Sequence, residues 1–337
     1  MDVILLVPVM ISFLISIIFL PSWIKKAHAI HLAWPDMNKA PHGKVAGSGG
    51  IIASLGFIFG VLIFIAYRTF IVQTNDFLVE TLAMLSSVIF LSSIGLIDDL
   101  LGWQRGGLRR RHRIVLVAMA AIPLMAINAG KSQIFTPFLG SLDLGIWYPL
   151  IVIPLGIIGA TTTFNFLAGF NGLEAGQGVL LLSGIATVAF LTGNTWIAVI
   201  ALCMIAALLG FLIFNFYPAS VFPGDSLTYA VGWLVAILPI LGNFERIAVF
   251  FFIPYIIEFL LKSRGGLVKH SFGMPREDGT LDLKYDKMYS LNHVSILLMK
   301  KFGIVATEKK VVYSIWFLQA IIIVLGLLIF RQSIFLT

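Results

Sequence analysis

The chain has 337 residues, of which 59% are hydrophobic and 12% charged, with a net charge of +7. A water-soluble domain carries about 25% charged residues, so this composition excludes a soluble globular protein. The single cysteine, Cys203, lies in an apolar run, which excludes an intramolecular disulfide and reads as a small core residue.

Ten apolar stretches approach the ~20 residues that carry a helix across a bilayer. They run at about 3–24, 47–67, 77–97, 114–130, 147–164, 177–193, 195–216, 226–242, 246–262 and 311–330. The sequence therefore predicts an all-α polytopic membrane protein with about ten transmembrane helices, one domain over 1–337. The first stretch is expected to be a retained span. Asp2 precedes it and Lys25 and Lys26 follow it, the reverse of a signal peptide. Residues 131–146, "KSQIFTPFLGSLDLGI", alternate weakly and predict a small hairpin.

Positive charge orients the spans. Loops 25–46, 98–113 and 262–310 hold 19 of the 23 Lys and Arg residues. Loops after odd-numbered spans are then cytosolic and both termini extracytoplasmic. The basic excess reads as topology and calls for no nucleic acid. Polar clusters follow the same parity: "DMNKAPHGKVAGSGG", Asp98-Asp99, "NFLAGFNGLEAGQG", "NFYPASVFPGDS" and the long loop 262–310. Five distant segments are expected to converge on a cytosolic active site.

Asp98 and Asp99 end the third apolar run. Adjacent carboxylates repel each other, and a helix C-terminus adds negative potential. A cation relieves both. Helical neighbours point about 100° apart, so one aspartate can face a metal or phosphate while the other supports it; a solvated helix end is the bland alternative. Asp225 follows the turn at Gly224, and Asn165 closes the fifth span. Carboxylates with an amide oxygen suit Mg²⁺, with Mn²⁺ as the alternative. The six histidines form no zinc spacing. The glycine-rich stretch at 165–178 can bring backbone N–H groups to a ligand, and Asn171 could read an amide edge such as that of uracil. "AGSGG" (46–50) offers N–H groups to an anion or, equally, close helix packing. In 262–310, "MPREDGTLDLKYDKMYSL" reads as a strand–turn–strand flap around Asp278-Gly279, with Arg276 as a phosphate clamp. Glu258 is expected to pair with Lys262, one turn on.

The stretches "DMNK" (36–39), "GLIDDLLGW" (95–103), "NFLAGFNGLEAGQG" (165–178), "YPASVFPGDS" (217–226) and "MPRED" (274–278) resemble the polyprenyl-phosphate N-acetylhexosamine-1-phosphate transferases, above all the dolichyl-phosphate GlcNAc branch. The likeness covers nearly the whole chain. It implies transfer of GlcNAc-1-phosphate from UDP-GlcNAc to a polyprenyl (dolichyl) phosphate within the bilayer, giving UMP. It implies Mg²⁺ on Asn165 and Asp225, Phe222 stacked on uracil, and Asn171 at the uracil edge. Asp98 and Asp99 would lie at the lipid phosphate and metal, making Asp98, Asp99 and Asp225 the catalytic set. Arg276 would clamp the diphosphate or sugar with His270 nearby. Lys39 and Glu174, in the matching motifs, complete the substrate-binding set. The family lysine beyond the paired aspartates is missing, and Arg111 or Arg113 would replace it. Glu174 stands where the muramyl-pentapeptide enzymes have aspartate, and their histidine-rich motif is absent, which favours GlcNAc. The likeness in so compact a chain suggests an archaeal source. The membrane would be the plasma membrane in a prokaryote or the endoplasmic reticulum in a eukaryote. A homodimer is left open.

The rival class is a lipid or nucleotide-sugar transporter, which predicts charges near the bilayer centre. The apolar runs hold almost none. A CDP-alcohol phosphotransferase would need a D-x-x-D-G…D array, which is missing.

Overall fold

The computed structural model describes residues 3–105, 107–136 and 140–335. Helix dominates, as the composition requires: a chain in hydrocarbon must satisfy its backbone polar groups internally. Among the described residues, seven helices are long and apolar enough to cross a membrane. They are α1 (Leu6–Ala29), α2 (Gly50–Ala66) with its π-helical continuation Tyr67–Val72, α3 (Leu78–Arg105), α7 (Leu173–Leu191), α8 (Thr195–Asn215), α9 (Asp225–Gly242) and α13 (Glu308–Ile329).

The other three expected spans also fall on helix, but each is short or interrupted at proline. The fourth is split into α4 (Arg110–Met119) and α5 (Ile122–Ala126), with Pro123 opening the second piece. The fifth begins as a π-helical turn, Tyr148–Val152, and continues as α6 (Ile153–Phe164), with Pro149 and Pro154 near the two starts. The ninth is α10 (Glu245–Phe251) and α11 (Ile253–Arg264), broken ahead of Pro254. Proline lacks the N–H that would bond the preceding turn, and it disfavours helix in the residue before it.

Among the described residues, three two-stranded antiparallel sheets complete the fold. β1 (Ala33–Pro35) pairs with β2 (Lys44–Ala46) between α1 and α2. β3 (Gln133–Thr136) pairs with β4 (Gly140–Asp143), the hairpin expected in 131–146; its turn lies outside the described residues. β5 (Met274–Pro275) pairs with β6 (Leu281–Asp282), the expected flap, with Gly279 at φ +78° in its turn. A short helix, α12 (Leu291–Lys301), leads to α13.

α9 packs against α3 and α6, and α8 against α1 and α7. α9 and α8 are mostly buried, whereas α1 and α13 leave most of their apolar surface open, as lipid-facing helices do. Two expected boundaries shift. α3 runs on through Arg105, so Asp98 and Asp99 lie inside the helix, not at its end. α7 begins at Leu173, so Glu174 and Gln177 belong to its first turns and the glycine loop is shorter than expected. In both places the helix-forming residues beyond the polar pair keep the backbone bonded.

Candidate active site

The five odd-parity segments meet at one end of the bundle. Ala46 bridges Val221, and Phe222 N–H bonds to Ala46 O at 2.7 Å. Asn38 joins three of them: its amide nitrogen donates to Gly169 O at 2.6 Å, and its oxygen accepts Gly273 N–H at 3.2 Å. Between them lies a cavity of about 340 Å³, lined on its polar side by Asp36, Asn165, Glu174, Asn215, Asp225 and Thr228. Trp34, Phe170, Phe222 and Phe272 supply the aromatic wall.

Asp225 stands at the first turn of α9, and Asn165 caps α6. These residues are 60 apart in sequence, yet the Asn165 amide nitrogen donates to Asp225 Oδ1 at 2.9 Å. Tyr229, one turn further along α9, donates to Asp225 Oδ2 at 3.0 Å and reaches Asp98 Oδ2 at 3.4 Å.

The paired aspartates take different jobs. Asp99 Oδ1 accepts the Asp225 N–H at 2.9 Å, so a carboxylate of α3 caps the positive end of α9. Asp98 accepts Leu108 N–H at 2.7 Å and forks with Arg113, whose Nε lies 2.5 Å from Oδ2 and whose Nη2 donates to Oδ1 at 3.1 Å. Arg113 Nη1 is 3.7 Å from Asp225 Oδ2. Both aspartates are buried, and neither lines the cavity. Of the two arginines considered for this place, Arg113 makes the contact and Arg111 is exposed. Close approach makes the cluster possible. A Cβ on Gly95 would fall 2.5 Å from the Asp225 backbone, and one on Gly224 would fall 2.2 Å from Asp99 Oδ2.

The glycine segments bind the protein's own groups. Gly169 N–H donates to Glu174 Oε1 at 2.9 Å, and Asn171 N–H to Glu308 Oε1 at 2.7 Å. The Asn171 amide donates to Asp36 Oδ2 at 3.1 Å, so this side chain is buried behind the cavity wall. The anion reading of "AGSGG" is overturned. The N–H groups of Gly47, Gly49 and Gly50 bond to Leu32 O, Phe222 O and Pro223 O, and a Cβ at Gly50 would strike Pro223 O at 2.4 Å. Close packing is what these glycines permit.

Of the residues named from sequence, Asn165, Glu174, Phe222 and Asp225 line the cavity. Lys39 pairs with Asp36 at 2.7 Å and lies over the Tyr217 ring. Arg276 is exposed and ion-paired to Asp282, which Lys300 also holds at 2.9 Å. The Lys300 ammonium and the Leu283 N–H keep the Asp282 carboxyl ionised down to about 2. His270 is exposed beside Phe272, with its pKa lowered by partial burial and by Lys284. Glu258 does not ion-pair with Lys262. It accepts Leu291 N–H at 2.7 Å and Ser290 Oγ at 3.2 Å, while Lys262 Nζ bonds to Lys269 O and Ser271 Oγ. The 290–291 turn brings better donors to the buried carboxylate than the lysine does.

Sequence reasoning missed Tyr229, Asp36, Glu308, Trp34 and Phe272. Tyr229 carried a signal, since i, i+4 spacing sets it over Asp225. Phe272 is held by His293: the ring Nδ1 accepts Tyr289 N–H at 3.4 Å and Nε2 meets Phe272 O at 3.1 Å. A donor at one nitrogen and an acceptor at the other fix the neutral Nε2–H tautomer.

A sequence model of glycosyl transferase family 4 matches residues 81–243. A Saccharolobus solfataricus protein is 34% identical over 332 residues, 98% of each chain. It is provisionally named a UDP-N-acetylglucosamine–dolichyl-phosphate N-acetylglucosaminephosphotransferase. A Sulfolobus acidocaldarius protein with the same provisional name is 31% identical over 293 residues, 86% of this chain and 85% of its own. The Dictyostelium discoideum protein named for that activity is 28% identical over 279 residues, 72% of this chain and 67% of its own. With a likeness that runs end to end and a matched segment that holds Asp98, Asp99, Asn165 and Asp225, the chain belongs to the polyprenyl-phosphate N-acetylhexosamine-1-phosphate transferases of glycosyl transferase family 4.

Proposed function

We propose that this membrane protein transfers GlcNAc-1-phosphate from UDP-GlcNAc to dolichyl or another polyprenyl phosphate, releasing UMP at the cytosolic surface. The observation that carries this reading is the Asn165–Asp225 pair on the wall of the cavity, backed by Asp99 and by the Asp98–Arg113 fork.

Among the described residues, the cavity lining holds three carboxylates, Asp36, Glu174 and Asp225, and no basic side chain. A nucleotide diphosphate does not settle there unaided. Among the described residues, no trio of His, Cys, Asp or Glu is arranged to hold a metal by itself. One carboxylate with one amide oxygen does fit Mg²⁺, which takes few protein ligands and fills its shell with water and substrate phosphate. Asp225 and Asn165 would hold it, and when bound it would neutralise the diphosphate.

In the reaction, a lipid phosphate oxygen bonds to the β-phosphorus, the bond from that phosphorus to the bridging oxygen breaks, and UMP leaves with the electron pair. The lipid phosphate is already anionic, so its attack needs no base. Asp98, with its oxygens taken by Leu108, Arg113 and Tyr229, holds the arginine in place. Arg113 supplies positive charge 3.7 Å from Asp225 and would meet the lipid phosphate. The aromatic wall gives flat faces for base and sugar. Arg276 would reach the substrate once its Asp282 pair opens.

UMP release by purified protein tests this, with UDP-GlcNAc supplied and polyprenyl phosphate and Mg²⁺ each present or withheld. Release that requires both is expected. Folded protein that yields no UMP over a range of lipids and UDP-sugars would refute the reading.

A further inference from the structure

The segment between α11 and α13 reads from sequence as a long polar loop that could meet acidic headgroups or a substrate diphosphate, and α12 is not polar throughout. One face of α12, with Asn292, Ser295 and Ile296, is buried and packs toward α11 and α13. The opposite stripe is Val294, Leu297, Leu298, Lys301 and Phe302, the i, i+3, i+4, i+7, i+8 spacing of a single helix face. A helix lying between protein and water carries polar residues on that outer face. Here Leu297 is 39% exposed, Leu298 48% and Phe302 73%, and the chain continues with Ile304 at 48% and Val305 at 56%. Five large apolar side chains thus lie open within nine residues. Open apolar patches of this kind mark a surface that something covers.

Two observations identify the cover. First, α13 crosses the membrane and begins at Glu308, three residues after Val305, so the patch is continuous with lipid-facing helix. An interfacial element reaches about 5–10 Å into the headgroup boundary. Second, the rim is basic. Lys300 and Lys301 precede Phe302, and Lys309 and Lys310 follow Val305. The one acid in this stretch, Glu308, is buried and accepts the Asn171 N–H. Lys310 Nζ bonds back to Val305 O, and Lys309 lies over Tyr217.

We propose that α12 and residues 302–305 lie in the membrane interface, with Leu297, Leu298, Phe302, Ile304 and Val305 in the acyl boundary and Lys301 and Lys310 on anionic headgroups. Lysine stems can run along apolar surface while their ammonium groups stay with the phosphates. The flap then hangs from a membrane-bound segment. Leu281 N–H bonds to Ala306 O at 2.9 Å, and Lys300 holds Asp282, the partner of Arg276. The interface would set the height of Arg276 above the bilayer.

The test uses the full chain in phosphatidylcholine–phosphatidylglycerol vesicles, with a nitroxide on Phe302→Cys. Cys203 is buried and stays unlabelled. A second site, Val305→Cys, guards against a misfolded first variant, and Lys287→Cys, on an exposed residue, serves as the aqueous reference. Labels at 302 and 305 should collide with oxygen several-fold more than with a nickel chelate, and the label at 287 should show the reverse. In phosphatidylcholine alone the oxygen preference at 302 should fall. Nickel access at 302 and 305 equal to that at 287 would overturn the proposal. Protection from both reagents would overturn it in favour of a second copy or another protein. An oxygen preference unchanged by removing the anionic lipid would overturn the placing of the lysines.

Discussion

Gly224→Ala tests how tightly the site is built. Gly224 sits at φ +69° and ψ 175°, immediately before Asp225. That backbone region is essentially reserved for glycine and costs another residue of order 1–3 kcal/mol. The new methyl would stand 2.2 Å from Asp99 Oδ2 and 3.0 Å from Ser48 Cα. Ordinary contact begins near 3.4 Å, so Asp99 or the 224–225 turn must give way by about 1 Å. Asp99 caps the Asp225 N–H, so either movement displaces the carboxylate paired with Asn165. A misplacement of ~1 Å at a reacting centre costs about 10²-fold in rate. The expected result is a fall of about 100-fold in kcat for UMP release, with a lowered Tm and an intact, monodisperse protein. Gly193→Ala is the control. Gly193 has φ +80° with nothing within 4 Å of its Cβ position, so it should lose stability and keep its rate. Turnover of Gly224→Ala within twofold of the parent would refute the idea that the Asp99 contact places Asp225.

Asp225→Ala should abolish UMP release while near-UV circular dichroism and Tm show a folded protein. Arg113→Lys keeps the charge but loses the fork on Asp98. Hydrogen bonds to charged groups are worth about 1.5–3 kcal/mol, so kcat/KM should fall roughly 10- to 100-fold, more than a pure charge role would allow. Tyr229→Phe removes the hydroxyl donated to Asp225 at 3.0 Å. A rate loss of about tenfold or more is expected by the same magnitude, together with a changed Mg²⁺ dependence in a titration of turnover. His293 has its pKa lowered by burial. The unfolded chain therefore takes the proton first, near pH 6.5, and stability should fall as pH drops below that value. Above it the histidine is neutral in both states and imposes no slope. Tm measured from pH 8 to 5 should show this loss, and His293→Gln, which keeps a donor for Phe272 O, should flatten it. His270 is shifted in the same direction and leaves a residual slope.

The membrane spans were legible because hydrocarbon imposes a one-dimensional rule, a long apolar run. Where that rule is bent by proline, as at Pro123, Pro149 and Pro254, the sequence still located the helix but not its breaks. The parity of the polar loops was legible for a similar reason: alternate loops return to the same side, and the bonds of Asn38 and Phe222 show them meeting. Pairings across the site followed no local rule. Asp99 and Asp225 are 126 residues apart, and Asn171 and Glu308 are 137 apart. No spacing could forecast which N–H each carboxylate would take.

That gap hid the partners of the paired aspartates. Two charges at the rim of an apolar helix called for a cation, with one aspartate facing a metal or phosphate and the other in support. Each has a separate countercharge of a different kind: the N-terminus of α9 for Asp99 and the Arg113 guanidinium for Asp98. Helical geometry requires such a split, because adjacent side chains point about 100° apart. The pair therefore joins α3 to α9 and to the loop beyond α3, and so fixes Asp225, the carboxylate that does line the cavity. Loss of either partner would leave a buried carboxylate uncompensated, which is strongly destabilising. Burial thus makes the contacts of these adjacent aspartates a means of holding Asp225 in position.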